Sequence, residues 1–489
     1  MDDIFSLANL RRIEHAAEVS GLDLMQSASQ TAADWLKNHA TTDQAILCVA
    51  GVGNNGGDAL LVAYHLVCAH YPVTIFMPEL PKSNATQAAL AACQQLGIPL
   101  ITDMPHQATH FAWVIDGLFG IGLNRLLSDK WQHIIHTINI LNCPILSLDV
   151  PSGLDAWRGT VYGEAIRATV TLTFLCAKPG LYMADGPDCA GVVLVKRLIL
   201  PKSLSVKPAG TIRRPSARPL VRKMNSHKGS YGTLCVVGGA LGMRGAAFLA
   251  GRAAASTGAG KVYVALLEPD MVTCDSLMPE LMLRDANTAY QLGCDVDVIG
   301  PGLSTSHLAH QVFCELMAQT SAKVIDADAL NLIANNAKLA QLIEQHIPPC
   351  ILTPHPAEAA RLLNISVKTV QADRIKSAQT LARHFRATVV LKGSGTVIAN
   401  MDGFFRVNTT GNPALASAGQ GDVLAGFCGA LLAQGMAPFD AASLAVYVHG
   451  LVADTWRKQH QGTIGLTAST TILHLADALN RLVAKDNKC

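Results

Sequence analysis

Short apolar runs alternate with stretches of helical periodicity along most of the chain. Runs without polar alternation are typical of strands buried on both faces of a parallel sheet, and the helices between them cover those faces. The pattern therefore predicts an α/β protein with two three-layer α/β/α domains. The runs are AILCVAG, PVTIFM, FAWVID, PILSLDV, ATVTLTF and GVVLVKRLIL in the first half, and GTLCVVGG, KVYVALL, VDVIGPG, KVIDADAL, CILTPHP and ATVVLKGSGTVIA in the second.

Two helices are predicted within residues 5–40, where apolar residues recur every three or four positions. The pattern stops between Pro201 and Lys228, a segment rich in proline and basic residues. We interpret this segment as a connection between domains and expect its basic residues to be solvated. The predicted domains are residues 1–210 and 225–489, joined by a basic, proline-rich linker at residues 211–224. The basic residues are Arg213, Arg214, Arg218, Arg222 and Lys223.

The composition narrows the possible partners. Half of the residues are apolar, and the formal net charge is only +2. This balance gives no electrostatic reason to expect nucleic acid or an anionic membrane as a partner. No apolar run reaches the length of a membrane span, and the N-terminal MDDIF lacks the features of a signal peptide. The 13 cysteines form no CxxC pair, which argues against zinc. We expect reduced thiols and a cytoplasmic protein.

The segment VAGVGNNGGDA, from Val49 to Ala59, is the first candidate binding motif. A glycine-rich turn at the start of a helix lets backbone N–H groups approach an anion closely. The motif is not the GxGxxG fingerprint, because it inserts two amides and a carboxylate. These groups suit a sugar, an amide edge or a cation as well as a phosphate. The alternative is a helix start capped by Asn55 or Asp58.

Two further motifs place aspartates at predicted strand ends. VIDGLFGIGLNR has Asp116 at the end of its strand, and SLDVPSGLDA has Asp149 there. The carboxyl ends of parallel strands meet at one edge of a sheet, where ligands bind. Asn55, Asp116 and Ser152 offer only oxygen ligands and one full charge, a set that suits a monovalent cation better than a transition metal. Asp149 is then a candidate general acid or base. Each aspartate could instead cap a turn.

The strongest motif of the second half is AGQGDVLAG, from Ala418 to Gly426. A Gly-x-Gly-Asp turn at a helix start forms a backbone anion hole with Asp422 beside it. This arrangement suits phosphoryl transfer, since the amides stabilise charge on the phosphoryl group and the aspartate accepts the hydroxyl proton. The alternative is a helix start with glycines for close packing. VLKGSGTVIA supplies Lys392 and a glycine turn for nucleotide phosphates, although it is not a Walker A motif.

Other polar and glycine positions lie at predicted strand ends of the second half. His355 lies between Pro354 and Pro356, and we expect it to contact a ligand. Gly245 and Ala246, at a predicted helix start, are expected to face a ligand as well. Asp326 and Asp328 also follow a strand, where capping and substrate contact are both open.

These motifs, in this order, resemble the bifunctional NAD(P)H-hydrate repair enzymes. The first half resembles the epimerase domain through NNGGD, IDGLFGIGL and LDVPSGLDA. The second resembles the ADP-dependent dehydratase through HKGSYG, GPGL, TPHPAE, LKGSGT and GNP…GQGD. The resemblance implies a Rossmann-like first domain, a ribokinase-like second domain, and isomerase and lyase activities. The R and S hydrates of NADH and NADPH (NADHX and NADPHX) would be interconverted. The S form would be dehydrated with ADP as phosphoryl donor, releasing AMP and phosphate.

The resemblance also implies roles for individual residues. The potassium ligands would be Asn55, Asp116 and Ser152, and Mg²⁺ would accompany the nucleotide in the second domain. Asp149 and Asp422 would be catalytic and would contact the hydrate. The chain would form a homo-oligomer. The other hydrate contacts would be Asn54, Asn55, Gly56, Gly57, Asp58, Gly120, Ile121, Gly122, Leu123, Asn124, Arg125 and Leu126 in the first domain, and Ala246, Gly302 and His355 in the second. The nucleotide contacts would be Lys392, Gly393, Ser394, Gly395, Thr396 and Gly421.

The chain departs from the family pattern after the TPHP motif and near the phosphate turn. Ala357 replaces a usual glycine, and Ala414, Ala418 and Gln420 replace smaller or hydroxylated residues. Because Asp422 and both turn glycines, Gly419 and Gly421, remain, we expect activity, and the effect of these replacements on nucleotide affinity stays open. Two other interpretations stay open. One is a ribokinase-class small-molecule kinase with a regulatory, non-catalytic first half, since a Gly-x-Gly-Asp turn also serves kinases. In the other, the first domain is a binding or scaffold module.

Overall fold

The computed structural model describes residues 2–104, 111–200, 205–268 and 273–488. The chain divides into two compact units, Met1–Arg213 and Arg214–Cys489. In the described part of the chain, no helix is both long enough and apolar enough to span a membrane.

The first unit consists of short strands with helices between them. Ser6 and Asp23 cap the first two helices through their side chains, which matches the helices predicted within residues 5–40. Its helices are α1 (Leu7–Val19), α2 (Leu24–Lys37), α3 (Asn54–Cys68), α4 (Asn84–Gln95), α5 (Asp129–Asn139) and α6 (Gly186–Ala190). Its strands are β1 (Asp3–Ile4), β2 (Ile46–Ala50), β3 (Val73–Phe76), β4 (Leu100–Ile101), β5 (Trp113–Gly117), β6 (Ile145–Leu148), β7 (Val170–Phe174), β8 (Val192–Lys196) and β9 (Gly210–Thr211).

Seven of these strands form a parallel sheet in the order β4-β3-β2-β5-β6-β7-β8. Alternate residues of β2 point to opposite faces, as a strand period of two requires. Ile46 and Cys48 pack with α2 and α3, whereas Leu47 and Val49 pack with α5. Both faces of the sheet are therefore covered, which confirms the predicted three-layer domain. The strand order reverses beside β2, so the carboxyl ends of β2 and β5 border a switch-point crevice.

The second unit has the same layered construction and a longer helical C-terminus. Its helices are α7 (Arg244–Ser256), α8 (His307–Met317), α9 (Ala327–Ala334), α10 (Ala337–Glu344), α11 (Pro356–Leu363), α12 (Val367–Ala372), α13 (Arg374–His384), α14 (Gln420–Ala433), α15 (Pro438–His460) and α16 (Ala468–Asp486). Its strands are β10 (Thr233–Gly238), β11 (Lys261–Leu266), β12 (Met282–Asp285), β13 (Val296–Ile299), β14 (Ala322–Ile325), β15 (Cys350–Leu352), β16 (Thr388–Leu391), β17 (Val397–Ala399) and β18 (Phe405–Val407).

In this unit the strands run in the order β12-β11-β10-β13-β14-β15-β16-β17-β18, parallel up to β16 and antiparallel beyond it. Helices α7, α14, α15 and α16 share one core with Leu234 and Val236 of β10. Gly426 allows α14 to approach α7 closely, because a Cβ there would lie 2.0 Å from Ala250 O. The order reverses beside β10, which places a second switch point between β10 and β13.

The structure corrects two sequence-based expectations. The run GVVLVKRLIL forms only β8, an edge strand whose Val192 is 60% exposed, so it is not buried on both faces. The basic cluster is not simply solvated. Arg214 is ion-paired with Asp486, and Arg222 stacks over the Tyr231 ring at 3.8 Å. Sequence analysis assigned Arg214 and Arg222 to a linker, but these contacts make both residues part of the second unit.

Candidate active sites

The first candidate site is a crevice of about 1620 Å³ at the switch point of the first unit. Asn54 and Asn55, at the start of α3, border it from β2, and the loop after β5 borders it from the other side. Asp149, the residue that follows β6, also lines it. Most of the hydrate contacts that the family resemblance implies for the first domain therefore line one crevice: Asn54, Asn55, Asp58, Gly120, Ile121, Gly122, Leu123, Asn124, Arg125, Leu126 and Asp149.

Gly56 and Gly57 do not line this crevice. A Cβ on Gly56 would lie 1.9 Å from Gly51 O, and one on Gly57 would lie 2.8 Å from Met25 Cε. Both glycines are buried. Their lack of a side chain is thus required for packing α3 against its surroundings.

The three residues implied as cation ligands are joined by a chain of hydrogen bonds that includes Asn55 and Phe119 of the crevice wall. Asn55 Nδ2 donates to Phe119 O at 3.0 Å, and Phe119 N donates to Ser152 Oγ at 2.8 Å. Ser152 Oγ in turn donates to Asp116 Oδ1 at 2.5 Å. The start of α3, the end of β5 and the loop after β6 therefore converge, as their positions in the sequence predicted.

Asp116 is fully buried, and both its oxygens are bonded. Oδ2 accepts from Ser147 Oγ at 2.8 Å and from Ser152 N at 2.9 Å. Burial raises the pKa of Asp116, and the hydrogen bonds from Ser152 and Ser147 partly oppose that rise. A cation at this point would offset the cost of burying the carboxylate.

Asp149 lies in a network that sequence analysis did not predict. Its Oδ1 accepts from Lys178 Nζ at 2.5 Å, from Phe174 N at 3.1 Å and from Thr173 Oγ1 at 3.2 Å. Lys178 is only 4% exposed. The one sequence signal was a lysine shortly after the apolar run ATVTLTF, which forms β7 and pairs with β6 before Asp149 in the structure.

Two more carboxyl groups border the same crevice. Burial, followed by the nearby Asp149 carboxylate, raises the pKa of Glu14 on α1. The same two causes raise the pKa of Asp58 well above its usual range. The crevice thus combines the Lys178–Asp149 ion pair with carboxyl groups whose surroundings favour the protonated form.

The second candidate site surrounds Lys392, which follows β16. Its Nζ lies 2.8 Å from Asp326 Oδ1 and 4.0 Å from Glu358 Oε2. Burial lowers the pKa of Lys392, but the Asp326 and Glu358 carboxylates outweigh burial and leave the pKa raised. Burial raises the pKa of Glu358 to about 7, although Lys392 opposes the rise. One ammonium therefore lies between the carboxyl group that follows β14 and the carboxyl group in the first turn of α11.

The Gly-x-Gly-Asp turn begins α14 beside this ammonium. Gly419 is the N-cap with φ 84°, and Asp422 lies in the first helical turn. A Cβ on Gly421 would lie 3.5 Å from Lys392 Nζ, so the two nucleotide motifs meet. Burial and then the Asp326 carboxylate raise the pKa of Asp422 to about 7, against the effect of Lys392. Asp422 can therefore exchange a proton near neutral pH.

His355 is the N-cap of α11. Its Nδ1 accepts from Ala357 N at 3.1 Å and from Glu358 N at 3.3 Å, and the backbone N–H of His355 donates to Glu358 Oε2 at 2.7 Å. Burial and then the cation of Lys392 lower the pKa of His355. The ring remains 46% exposed. Capping and a ligand contact through the exposed side of the ring are therefore compatible.

Ala246 and Gly302 lie on either side of the second switch point. Ala246 is in the first turn of α7, and Ala246 N donates to Met243 O at 3.1 Å. Gly302 has φ 62°, and a Cβ there would lie 2.4 Å from the same Met243 O. The loop before α7 and the loop after β13 are therefore in contact.

The structure explains one departure from the family pattern. Gln420 Oε1 lies 3.0 Å from His449 Nε2, and Gln420 Nε2 donates to Ser417 Oγ at 3.2 Å. Burial lowers the pKa of His449 to about 4, so the ring is neutral at physiological pH. Gln420 thereby ties the phosphate turn to α15.

Arg374, like Lys178 in the first unit, belongs to none of the motifs found in the sequence. It is 2% exposed, and its Nη2 donates to Leu391 O at 3.2 Å and to Lys392 O at 3.3 Å. Burial lowers its pKa to about 10. A Cβ on Gly393 would lie 2.5 Å from Arg374 Nη1. The guanidinium thus stabilises the LKGSGT turn by bonding to its backbone carbonyls, and only glycine fits against the guanidinium at position 393.

Comparison with known proteins agrees with the division of the chain into two units. Residues 234–475 match the family model described as NAD(P)H-hydrate dehydratase, and residues 21–180 match that of the YjeF-related protein N-terminus. A bifunctional NAD(P)H-hydrate repair enzyme from Coxiella burnetii (strain RSA 493 / Nine Mile phase I) is 34% identical over 98% of this chain and 100% of its own length. One from Escherichia coli (strain K12) is 34% identical over 98% of this chain and 94% of its own.

A solved structure is also similar to part of this chain. It is the ADP/ATP-dependent NAD(P)H-hydrate dehydratase from Bacillus subtilis, co-crystallized with ATP and Mg²⁺, at 30% identity and a TM-score of 0.46. The similarity covers 56% of this chain and 100% of that chain. The two full-length relatives, together with both family models in the order of the two units, show that the chain belongs to the bifunctional NAD(P)H-hydrate repair enzymes.

Proposed function

We propose that the chain repairs hydrated NADH and NADPH at two active sites that act in sequence. The first unit interconverts the R and S hydrates, and the second dehydrates the S hydrate with ADP. The observation that carries this proposal is the meeting of three groups in the second unit: the Gly-x-Gly-Asp turn, Lys392 and Asp326. The turn supplies backbone amides for an anion and the Asp422 carboxyl group for proton transfer, and Lys392, paired with Asp326, supplies an ammonium for phosphate charge.

The dehydration requires a better leaving group than hydroxide at C6 of the hydrated nicotinamide. Asp422 takes the proton of the C6 hydroxyl while that oxygen attacks the terminal phosphorus of ADP, and AMP leaves. The C6–O bond of the phosphate ester then breaks, and loss of a proton from C5 restores the dihydropyridine. Inorganic phosphate and NAD(P)H are released. The pKa of Asp422, about 7, suits a group that accepts this proton.

The excess of carboxyl groups over cationic side chains makes the second site suitable for Mg²⁺. Asp326, Glu358 and Asp422 are three carboxyl groups around the single ammonium of Lys392. Carboxylates and nucleotide phosphates are the ligands that Mg²⁺ prefers, and the ion would neutralise charge on the phosphates. We expect Mg²⁺ to enter with ADP, whose phosphates would contact the turn at Lys392, Gly393, Ser394, Gly395 and Thr396 and the amide of Gly421.

In the first unit, Asp149 assists the reversible loss and return of the C6 hydroxyl. Its carboxylate borders a crevice of about 1620 Å³. A crevice of this volume accommodates a dinucleotide-sized ligand. The loop at Gly120–Leu126 and the helix start at Asn54 would hold the rest of the substrate. Coupling the two steps in one chain lets the S-specific dehydratase clear both epimers.

We also propose a potassium ion in the first unit. Asn55, Asp116 and Ser152 offer an amide, a carboxylate and a hydroxyl, joined through the backbone of Phe119. A set of oxygen ligands with one full charge fits a monovalent cation. In binding the ion, the amide of Asn55 would turn its oxygen inward and release its bond to Phe119 O. The ion would fix the two loops that border the crevice.

The proposal is tested by incubating the protein with hydrated NADH and either ADP or ATP with Mg²⁺. Recovery of the reduced-nicotinamide absorbance, with one inorganic phosphate per NADH, supports repair. A stable phosphorylated product with no NADH would instead identify a ribokinase-class kinase.

A further inference from the structure

Lys178 is a buried cation beside the proposed epimerase carboxylate. Its side chain is 5% exposed, and its Nζ bonds to Asp149 Oδ1 at 2.5 Å and to Phe174 O at 2.6 Å. An ammonium is buried at such a point only when partners offset its lost hydration. Here those partners belong to the ends of two neighbouring strands, β6 and β7.

Both strands end in a tight turn whose backbone is unusual for a residue with a side chain. Asp149 has φ 64°, and Val150 N donates to Leu148 O at 2.8 Å across it. Leu175 has φ 68°, and Cys176 N donates to Phe174 O at 2.8 Å in the same way. Such three-residue turns with positive φ are strained and persist only when the surroundings hold them.

Lys178 connects these two turns. It binds the side chain of Asp149 in the first turn and the carbonyl of Phe174, which is the acceptor that closes the second. Phe174 N and Thr173 Oγ1 also donate to Asp149 Oδ1. Oδ1 thus receives three donors. In the described part of the chain no donor is bonded to Oδ2, which leaves that oxygen for the crevice that Asp149 lines.

We propose that Lys178 is a positioning residue for epimerisation: it fixes Asp149 through Oδ1 in its strained turn so that Oδ2 faces C6 of the hydrate. This inference rests on the proposed epimerase function of the first unit. A charge-assisted bond to one carboxylate oxygen sets the direction of the other. Misplacing a reacting group by about 1 Å can cost about 10²-fold in rate, so the orientation of Asp149 governs turnover more than binding.

The test measures conversion of pure R hydrate to S hydrate by the full chain. For Lys178→Met we expect kcat to fall about 10²-fold with KM little changed. Thr173→Val removes a neutral donor from the same oxygen, and we expect a smaller loss. Lys37→Met, at a surface ion pair on α2, should match the wild type. Ethylamine should restore epimerisation to Lys178→Ala in a saturable manner, whereas ethanol of similar size should not.

The outcomes separate this inference from the proposed function. If the wild type fails to interconvert the hydrates, the epimerase function itself is wrong. If the wild type does so and Lys178→Met keeps its kcat, only the role of Lys178 is wrong. If Lys178→Met does not fold, the folded fraction of Lys178→Ala, verified by thermal unfolding, decides the question. Rescue by ethylamine but not by ethanol supports positioning. Equal rescue by the two compounds, or no rescue by either, overturns it.

Discussion

The ammonium of Lys392 lies 2.8 Å from Asp326 Oδ1 and directly beside Gly421 of the phosphate turn. This contact joins the end of β14 to the start of α14, two segments almost a hundred residues apart in the chain. The ammonium is thereby held where phosphate oxygens bound to the turn would meet it. The same contact keeps Asp422 close to one cation and to the Asp326 carboxylate; burial raises the pKa of Asp422 most, Asp326 raises it further, and Lys392 lowers it.

Asp422→Asn should abolish ADP-dependent dehydration and leave epimerisation unchanged. The amide keeps the shape of the side chain but cannot accept the hydroxyl proton, and loss of a positioned base costs about 10²–10⁴-fold. The rate is measured as NADH recovered from pure S hydrate. Conversion of R to S hydrate by the same preparation is the control. Near-normal turnover of the variant would exclude Asp422 as the base.

The pH dependence of dehydration should show an acid limb near neutrality. Asp422 acts as a carboxylate, and its pKa is raised to about 7, so the active form is lost as pH falls through that value. Below it, kcat/KM should decrease about tenfold per pH unit, the behaviour of a single essential base. The profile is measured with pure S hydrate and subsaturating ADP. A rate that stays level down to about pH 5 would contradict a raised pKa at the base.

Potassium should support epimerisation, and sodium should replace it poorly. The ion would be held by Asn55, Asp116 and Ser152, whose loops border the crevice. Ser152→Ala should weaken the dependence on potassium while leaving dehydration of S hydrate unaffected. The site is located most directly by anomalous scattering from a rubidium-soaked crystal. A crystal with no ion between these loops, together with equal rates in sodium, would refute the site.

Gly56→Ala should strongly destabilise the first unit. The new Cβ would lie 1.9 Å from Gly51 O, and backbone at both ends of this contact cannot yield cheaply. We expect a loss of about 3 kcal/mol in the free energy of unfolding. Gly53→Ala is the matched control, because nothing lies within 4 Å of a Cβ there. Chemical denaturation of both variants measures the difference, and equal stability would show that Gly56 is not a packing requirement.

The fold and much of both sites follow from local patterns in the sequence. Apolar runs at regular intervals predict a parallel sheet, and the carboxyl ends of parallel strands must meet at one edge. Asn55, Asp116 and Ser152 were therefore expected to converge, and the structure joins them by hydrogen bonds. The family resemblance assigned Lys392 and Gly421 to one nucleotide site, and their two motifs are in contact in the structure.

The remaining features depend on contacts that a sequence pattern does not encode. Lys178 follows an ordinary apolar strand, and only the pairing of β6 with β7 brings it to Asp149. Gln420 meets His449 because α15 packs on α14. The basic residues Arg214 and Arg222 looked like a solvated linker, since nothing local indicates their partners in the second unit.

The central claim is that one chain holds two separate active sites that act in sequence. Asp149 lies in the first unit, next to β6, and Asp422 lies in the second, in α14. Removal of Asp149 should therefore stop epimerisation without touching the chemistry at Asp422. Dehydration of pure S hydrate supplies the internal control for the amount of active protein.

The most direct measurement follows NADH recovery from a mixture of R and S hydrates by Asp149→Ala with excess ADP and Mg²⁺. The wild type should convert the whole mixture. The variant should convert the S fraction at the wild-type rate and then stall, apart from slow spontaneous epimerisation of the R hydrate. If Asp149→Ala instead lowers the dehydration rate of pure S hydrate, or converts the R fraction as fast as the wild type, the account of two sequential sites is contradicted.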